Sequence, residues 1–176
     1  MSAPLHFIAR FLPAPRTIMD RDGGTPYLDR WYLIGTQPSV DRHGNPVGRV
    51  RKSPIQVLLH RFHRGDHDGE LHSHPWAWSI AVVLAGGYME ERRVGDRVIK
   101  RRCGPGTINV IRADDYHRVD LLGAESWSIF ITGPKVASWY FWCRERLARS
   151  PWRSFLAWKQ DGAESAQWEP DSRGGA

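Results

Sequence analysis

Cysteine is scarce in this chain, with two among 176 residues, Cys103 and Cys143. So small a number excludes a disulfide framework and the paired-cysteine zinc fingers. A reduced pair suits the cytoplasm, which is the expected location. Lysine is nearly as scarce: four positions, so arginine carries most of the net charge of +6. The basic residues are scattered, and the segment from Glu91-Arg92-Arg93 to Lys100-Arg101-Arg102 reads as a solvent-facing hairpin. With no helix-turn-helix pattern in view, nucleic acid is not an expected partner. No apolar run approaches the roughly 20 residues that cross a bilayer. Met1 to Arg10 lacks the continuous apolar core of a secretion signal. Neither a membrane nor export is therefore expected, and no internal repeat or second domain is visible.

What is present has an all-β texture. Phe7, Ile8, Phe11 and Leu12 suggest a short N-terminal helix or arm, stopped by Pro13 and Pro15. A turn at Asp22-Gly23-Gly24 precedes a strand from Leu28 to Ile34, and residues 41–48 read as a loop. From residue 54, short runs follow at intervals of about ten residues. They are Ile55–His63, Trp76–Leu84, Tyr88–Val94, Arg97–Arg102, Thr107–Arg112, His117–Leu122 and Ser126–Thr132. Glycine turns at Gly86-Gly87, Gly95-Asp96 and Gly104-Pro105-Gly106 separate several of them, a pattern of sandwich or barrel rather than parallel α/β sheet. An aromatic segment closes the sequence: Trp139, Tyr140, Phe141, Trp142, Trp152, Phe155 and Trp158, expected to pack against the barrel. One domain over residues 1–160 is expected, its barrel core at about 54–132, with a polar, disordered tail at 161–176.

Five of the eight histidines fall between residues 60 and 74. His72-Ser73-His74 carries the clearest chemistry, because residues two apart in a strand share a face and can reach one ion. His117, opening a later strand, is the candidate third ligand. Three neutral imidazoles suit Fe(II), Zn(II), Ni(II), Mn(II) or Cu(II) and leave positions open for water or substrate. His60, His63 and His67 read as surface or supporting groups, and Cys103 as a small core residue. The metallo-hydrolase pattern needs an Asp-His pair after His74, where Pro75-Trp76-Ala77 stands. An amidohydrolase (β/α)₈ barrel needs roughly 250 residues.

These spacings resemble the cupin superfamily. Its first motif runs G, five residues, H-x-H, three or four residues, E, six residues, G; here stand Gly65 one step early, Gly69, His72, His74 and Gly86. Its second runs G, five residues, P-x-G, two residues, H; here stand Gly106 and His117, with Arg112 and Asp114 at the proline and glycine positions. The match spans about residues 55–132 and implies a double-stranded β-helix, or jelly-roll barrel, holding one divalent ion on His72, His74 and His117. The motif's glutamate is missing, since Ser79 or Trp78 occupies its place. The resulting three-histidine set is similar to that of thiol dioxygenases, which use Fe(II) to bind a thiolate and oxygen. Their cysteine-specific members carry a cysteine at the Ser79 position, cross-linked to a tyrosine, and this chain does not.

Three functions follow as expectations. The first is an Fe(II)-dependent dioxygenase-type oxidoreductase acting on a small polar, thiol or acid substrate. The second is an isomerase or hydrolase using Zn, Ni or Mn as Lewis acid, and the third a non-catalytic ligand-binding cupin. Tyr116 and Glu90 are candidates for proton transfer, and Glu90 also for a compensating carboxylate at the metal. Arg61 and Arg112 are candidates to clamp an anionic group. Trp76, Trp78 and Ser79 are candidates to line the pocket. A homodimer through sheet edges is expected as a possible assembly.

Overall fold

The computed structural model describes residues 2–20, 24–37, 53–66, 69–143, 148–151 and 167–170. His67, the 41–48 loop, Asp22 and Gly23, Trp152, Phe155, Trp158 and most of the 161–176 tail lie outside the described residues.

Two antiparallel sheets face one another. The first comprises β1 (Arg16–Met19), β2 (Pro26–Ile34), β3 (Gln56–Phe62), β5 (Trp78–Ala85), β8 (Ile108–Arg112) and β10 (Ser126–Thr132), in the order β1-β2-β3-β10-β5-β8. The second comprises β4 (Leu71–His72), β6 (Tyr88–Val94), β7 (Arg97–Cys103), β9 (His117–Leu121), β11 (Tyr140–Cys143), β12 (Ala148–Pro151) and β13 (Glu169–Pro170). Its order is β13-β12-β11-β4-β9-β6-β7. This is an all-β architecture of two antiparallel sheets, as expected for a double-stranded β-helix or jelly-roll barrel. Among the described residues one helix, α1 (Ala3–Ala9), stands outside it.

Period-two alternation assigns each side chain to a face. In β5, Ser79, Ala81 and Val83 are buried inward while their neighbours are less so. A register shift against β10 turns Ala85 to the opposite face beside Trp127. In β8, Asn109 and Ile111 are buried between exposed Ile108, Val110 and Arg112. The inward cores are Leu58, Ala81, Ile111 and Phe130 near one end, and Val83, Tyr88, Cys103 and Val119 towards the other. Outside the first sheet a third cluster forms, Trp31, Leu59, Ala85 and Trp127, covered by Leu5, Ala9 and Leu12 from α1 and the turn after it. Trp127 is 0% exposed and stacks on Trp31 at 5.6 Å. The N-terminal arm is thus a lid on an apolar sheet face. His6 Nε2 pins it to Glu125 at 2.8 Å.

Several boundaries depart from the sequence expectation. β1 emerges directly after the prolines, paired along β2 from Arg16 opposite Arg30. Trp76 falls outside β5 and forms an isolated bridge with Lys135. The aromatic segment does more than pack against the barrel, because Tyr140–Cys143 is a strand of the second sheet beside β4. The strand through His72 ends there. Ser73 still donates its backbone N–H to Tyr140 O at 2.8 Å, but Pro75 has no donor to continue the ladder.

Candidate metal centre

His72 and His117 are direct cross-strand partners between β4 and β9, so their side chains share the inward face. His74 reaches the same point from the irregular segment after β4, held extended by the proline that follows it. One imidazole nitrogen from each lies within 4.8 Å of the other two. His74 Nε2 and His117 Nε2 stand 2.8 Å apart. An ion about 2.1 Å from each nitrogen would separate neighbouring ligands by about 3.0–3.4 Å, so modest side-chain rotation brings this set to ligand geometry. Burial lowers His72 to about 4, the charge of nearby Asp66 acting against it and His117 with it. Burial, then the neighbouring His117 and His72, hold His74 well below the ordinary histidine range. Both are therefore neutral at pH 7, the form that ligates.

Two carboxylates stand behind the imidazoles. Glu90, 1% exposed on β6, accepts from His117 Nδ1 at 2.9 Å. It also accepts from Asn109 Nδ2 at 2.9 Å, Arg92 Nη2 at 2.8 Å and Arg101 Nη2 at 3.0 Å. Burial alone would raise this carboxyl; the hydrogen bonds from His117, Asn109 and Arg92 outweigh it and hold the group far below the usual carboxylate range. Asp66 accepts from the Tyr27 hydroxyl at 2.5 Å and from Val119 N at 2.7 Å, with His72 Nδ1 3.8 Å from its Oδ2. An imidazole that donates through one nitrogen and ligates through the other is the arrangement that fixes its ring and tautomer. The donor set and its supports therefore fit a divalent ion.

Aromatic rings wall the centre. Trp76 stacks on His74 at 5.7 Å, and Phe130 lies 5.8 Å from the same ring. Trp139 and Phe141 meet His72 edge-on at 5.8 and 6.0 Å. Of the other expected wall residues, Ser79 is buried on the inward face opposite Ile111. Trp78 is one residue out of phase and turns away, lying against Gly133.

The register places the other expected residues as follows. Tyr116 precedes His117 and so faces the other side of the second sheet, packed with Leu71 and Trp142. It interacts there with Arg149, away from the imidazoles. Arg61 lies on the outer face of the first sheet, its Nε bonded to Glu125 at 2.8 Å and its guanidinium over Trp127. Arg112 is exposed, opposite Trp78 on that same outer face. Glu90 bonds the far nitrogen of His117, so it backs a ligand and does not join the three-histidine cluster. His63 pairs with Asp29 at 2.8 Å, outside the centre.

Asp66, Tyr27, Trp139 and Phe141 also stand at or behind the centre, beyond the residues expected there from the sequence. Alternation within 139–141 was a usable signal for the two aromatic residues once a strand was granted there. Asp66 and Tyr27 carried none, since they converge only through the closed barrel.

No family model and no curated protein matches this sequence. Among solved structures, it is similar to Fe(II)-HppE with an alternative substrate (12% identity, 70% of this chain, 56% of that chain, TM-score 0.47). It is similar also to the DMSP lyase DddQ from Ruegeria pomeroyi (17%, 67%, 52%, 0.45) and to a recombinant oxalate oxidase in complex with glycolate (17%, 63%, 58%, 0.42). The chain spans little more than half the length of these three proteins, and the likeness is one of fold.

Proposed function

We propose that this chain is a metal-dependent cupin enzyme of the dioxygenase type, binding Fe(II) on His72, His74 and His117 and acting on a small acid or thiol. The observation that carries this reading is the convergence of three imidazole nitrogens within 4.8 Å in a largely buried, aromatic-walled interior. Bound there, iron would supply redox chemistry and open positions for substrate and oxygen. The chain's own residues do the rest. Glu90 holds the Nδ1 proton of His117 and so turns its Nε2 lone pair inward. Asp66 places negative charge behind His72. Trp76, Phe130 and Phe141 keep bulk water from the imidazoles, which strengthens any charge interaction made beside them.

Metal content measured by mass spectrometry on untagged protein tests the reading, with His72→Ala and His117→Ala as variants. About one equivalent of iron in the wild type, lost in both variants, together with oxygen uptake on an acid and thiol panel, is the expected result. Zinc, nickel or manganese in iron's place, supporting turnover, would transfer the assignment to isomerase or hydrolase chemistry. A folded protein that takes up no ion after reconstitution would overturn it.

A further inference from the structure

We propose that Arg30 is the receptor for the carboxylate of a small organic acid inside the barrel, in the space between the two sheets beside His74. The inference deepens the metal-enzyme reading, on which it rests for the substrate's second contact.

Register puts Arg30 there. It pairs with His60, which pairs with Ser128, in a row whose neighbours Leu58 and Phe130 are inward core residues. Asp29 and Arg61, one residue out of phase, turn outward and carry the ion pairs of that face. Arg30 Nε donates to His60 Nε2 at 3.0 Å. Because arginine has only donors, His60 Nε2 accepts, and the ring's proton sits on Nδ1. That Nδ1 belongs to a side chain 2% exposed and has no hydrogen-bond partner among the described residues. His60 stacks on Phe130 at 4.9 Å, and Phe130 in turn meets His74 and Trp76. A contiguous path of packed rings thus runs from the guanidinium to the candidate ion.

Chemistry then selects the ligand. A guanidinium offers five N–H donors in a planar fork. His60 takes one and the Tyr32 hydroxyl takes part of the remainder. Among the described residues no carboxylate pairs with Arg30. Arg30 is half-buried, and a cation partly withdrawn from water favours an anionic partner; a carboxylate answers both the charge and the fork, bidentately. A neutral ligand of the same shape answers neither. Along the path of packed rings, His60 and Phe130 link Arg30 to His74. One compact molecule with an acid at one end and a ligating atom at the other could therefore engage both.

The test is calorimetric titration of the full-length protein, metal-free and Zn(II)-loaded, with propionate, 3-hydroxypropionate and their uncharged amides. Both acids are expected to bind at least tenfold more tightly than the amides. Arg30→Gln should lose at least tenfold for the acids while zinc uptake stays at one equivalent. Should Arg30→Gln fail to fold, Arg30→Lys keeps the charge without the fork, and a severalfold loss for the acids alone is expected of it. Acids and amides binding alike, acids binding the folded Arg30 variants as tightly as wild type, or no acid binding at all would each overturn the proposal. Failure of the metal reading looks different: zinc is not taken up, yet propionate still binds the metal-free protein in an Arg30-dependent way.

Discussion

Glu90 shows how much of a metal centre's quality is set by a residue that never reaches the ion. Four donors converge on its carboxylate, two of them arginines, so it stays ionised although 1% exposed. Glu90→Gln keeps the volume and removes the charge. Metal affinity, measured by competition with a chelator, should then fall about 10–100-fold with the fold intact. An unchanged affinity would make the carboxylate a packing residue. At this scale the sequence was legible where spacing alone decides: the H-x-H pair and a third histidine ahead of a strand. It was illegible where facing decides. Arg30 and Arg61 are both strand arginines, and a shift of one position in phase sends one inward and the other to solvent. Only the closed register distinguishes them.

Among the elements, the glycine-punctuated hairpins were readable because the turns themselves demand unusual backbone. Gly86, at φ +72°, ends β5 where an added Cβ would run into the Glu125 carbonyl. Gly86→Ala therefore meets both a left-handed backbone and a backbone clash. A loss of about 1–3 kcal/mol is expected, read from the urea midpoint. A loss no greater than that of an exposed surface change would show that the turn can relax. The shorter elements escaped notice. β1 has four residues beside Pro13 and Pro15, and β4 has two, too few for alternation to register. β11 looked like a generic aromatic cluster because its edge partner, β4, was itself invisible.

For the whole molecule, three interior histidines impose a pH dependence on folding. His60, His72 and His74 all have their protonation suppressed by burial, His72 to about 4. An unfolded histidine titrates near 6.5, so below that pH the unfolded chain binds protons that the folded one refuses. Stability is then complete above about pH 6.5 and declines as the pH falls towards 4, by up to about 1.4 kcal/mol per pH unit for each histidine. Chelator-treated protein should show a lower urea midpoint at pH 5 than at pH 7. An equal midpoint would mean that these rings are free to take up protons in the folded state.

Strand order carries a further consequence for synthesis. β10 lies between β3 and β5 although it follows both in the chain, with Thr132 opposite Gln56 on one side and Ser79 on the other. A nascent chain that has not yet emerged beyond Thr132 therefore holds two apolar strands with open edges and no native partner between them. Such edges invite pairing with other chains. The first sheet closes only once β10 has emerged and filled the gap between β3 and β5.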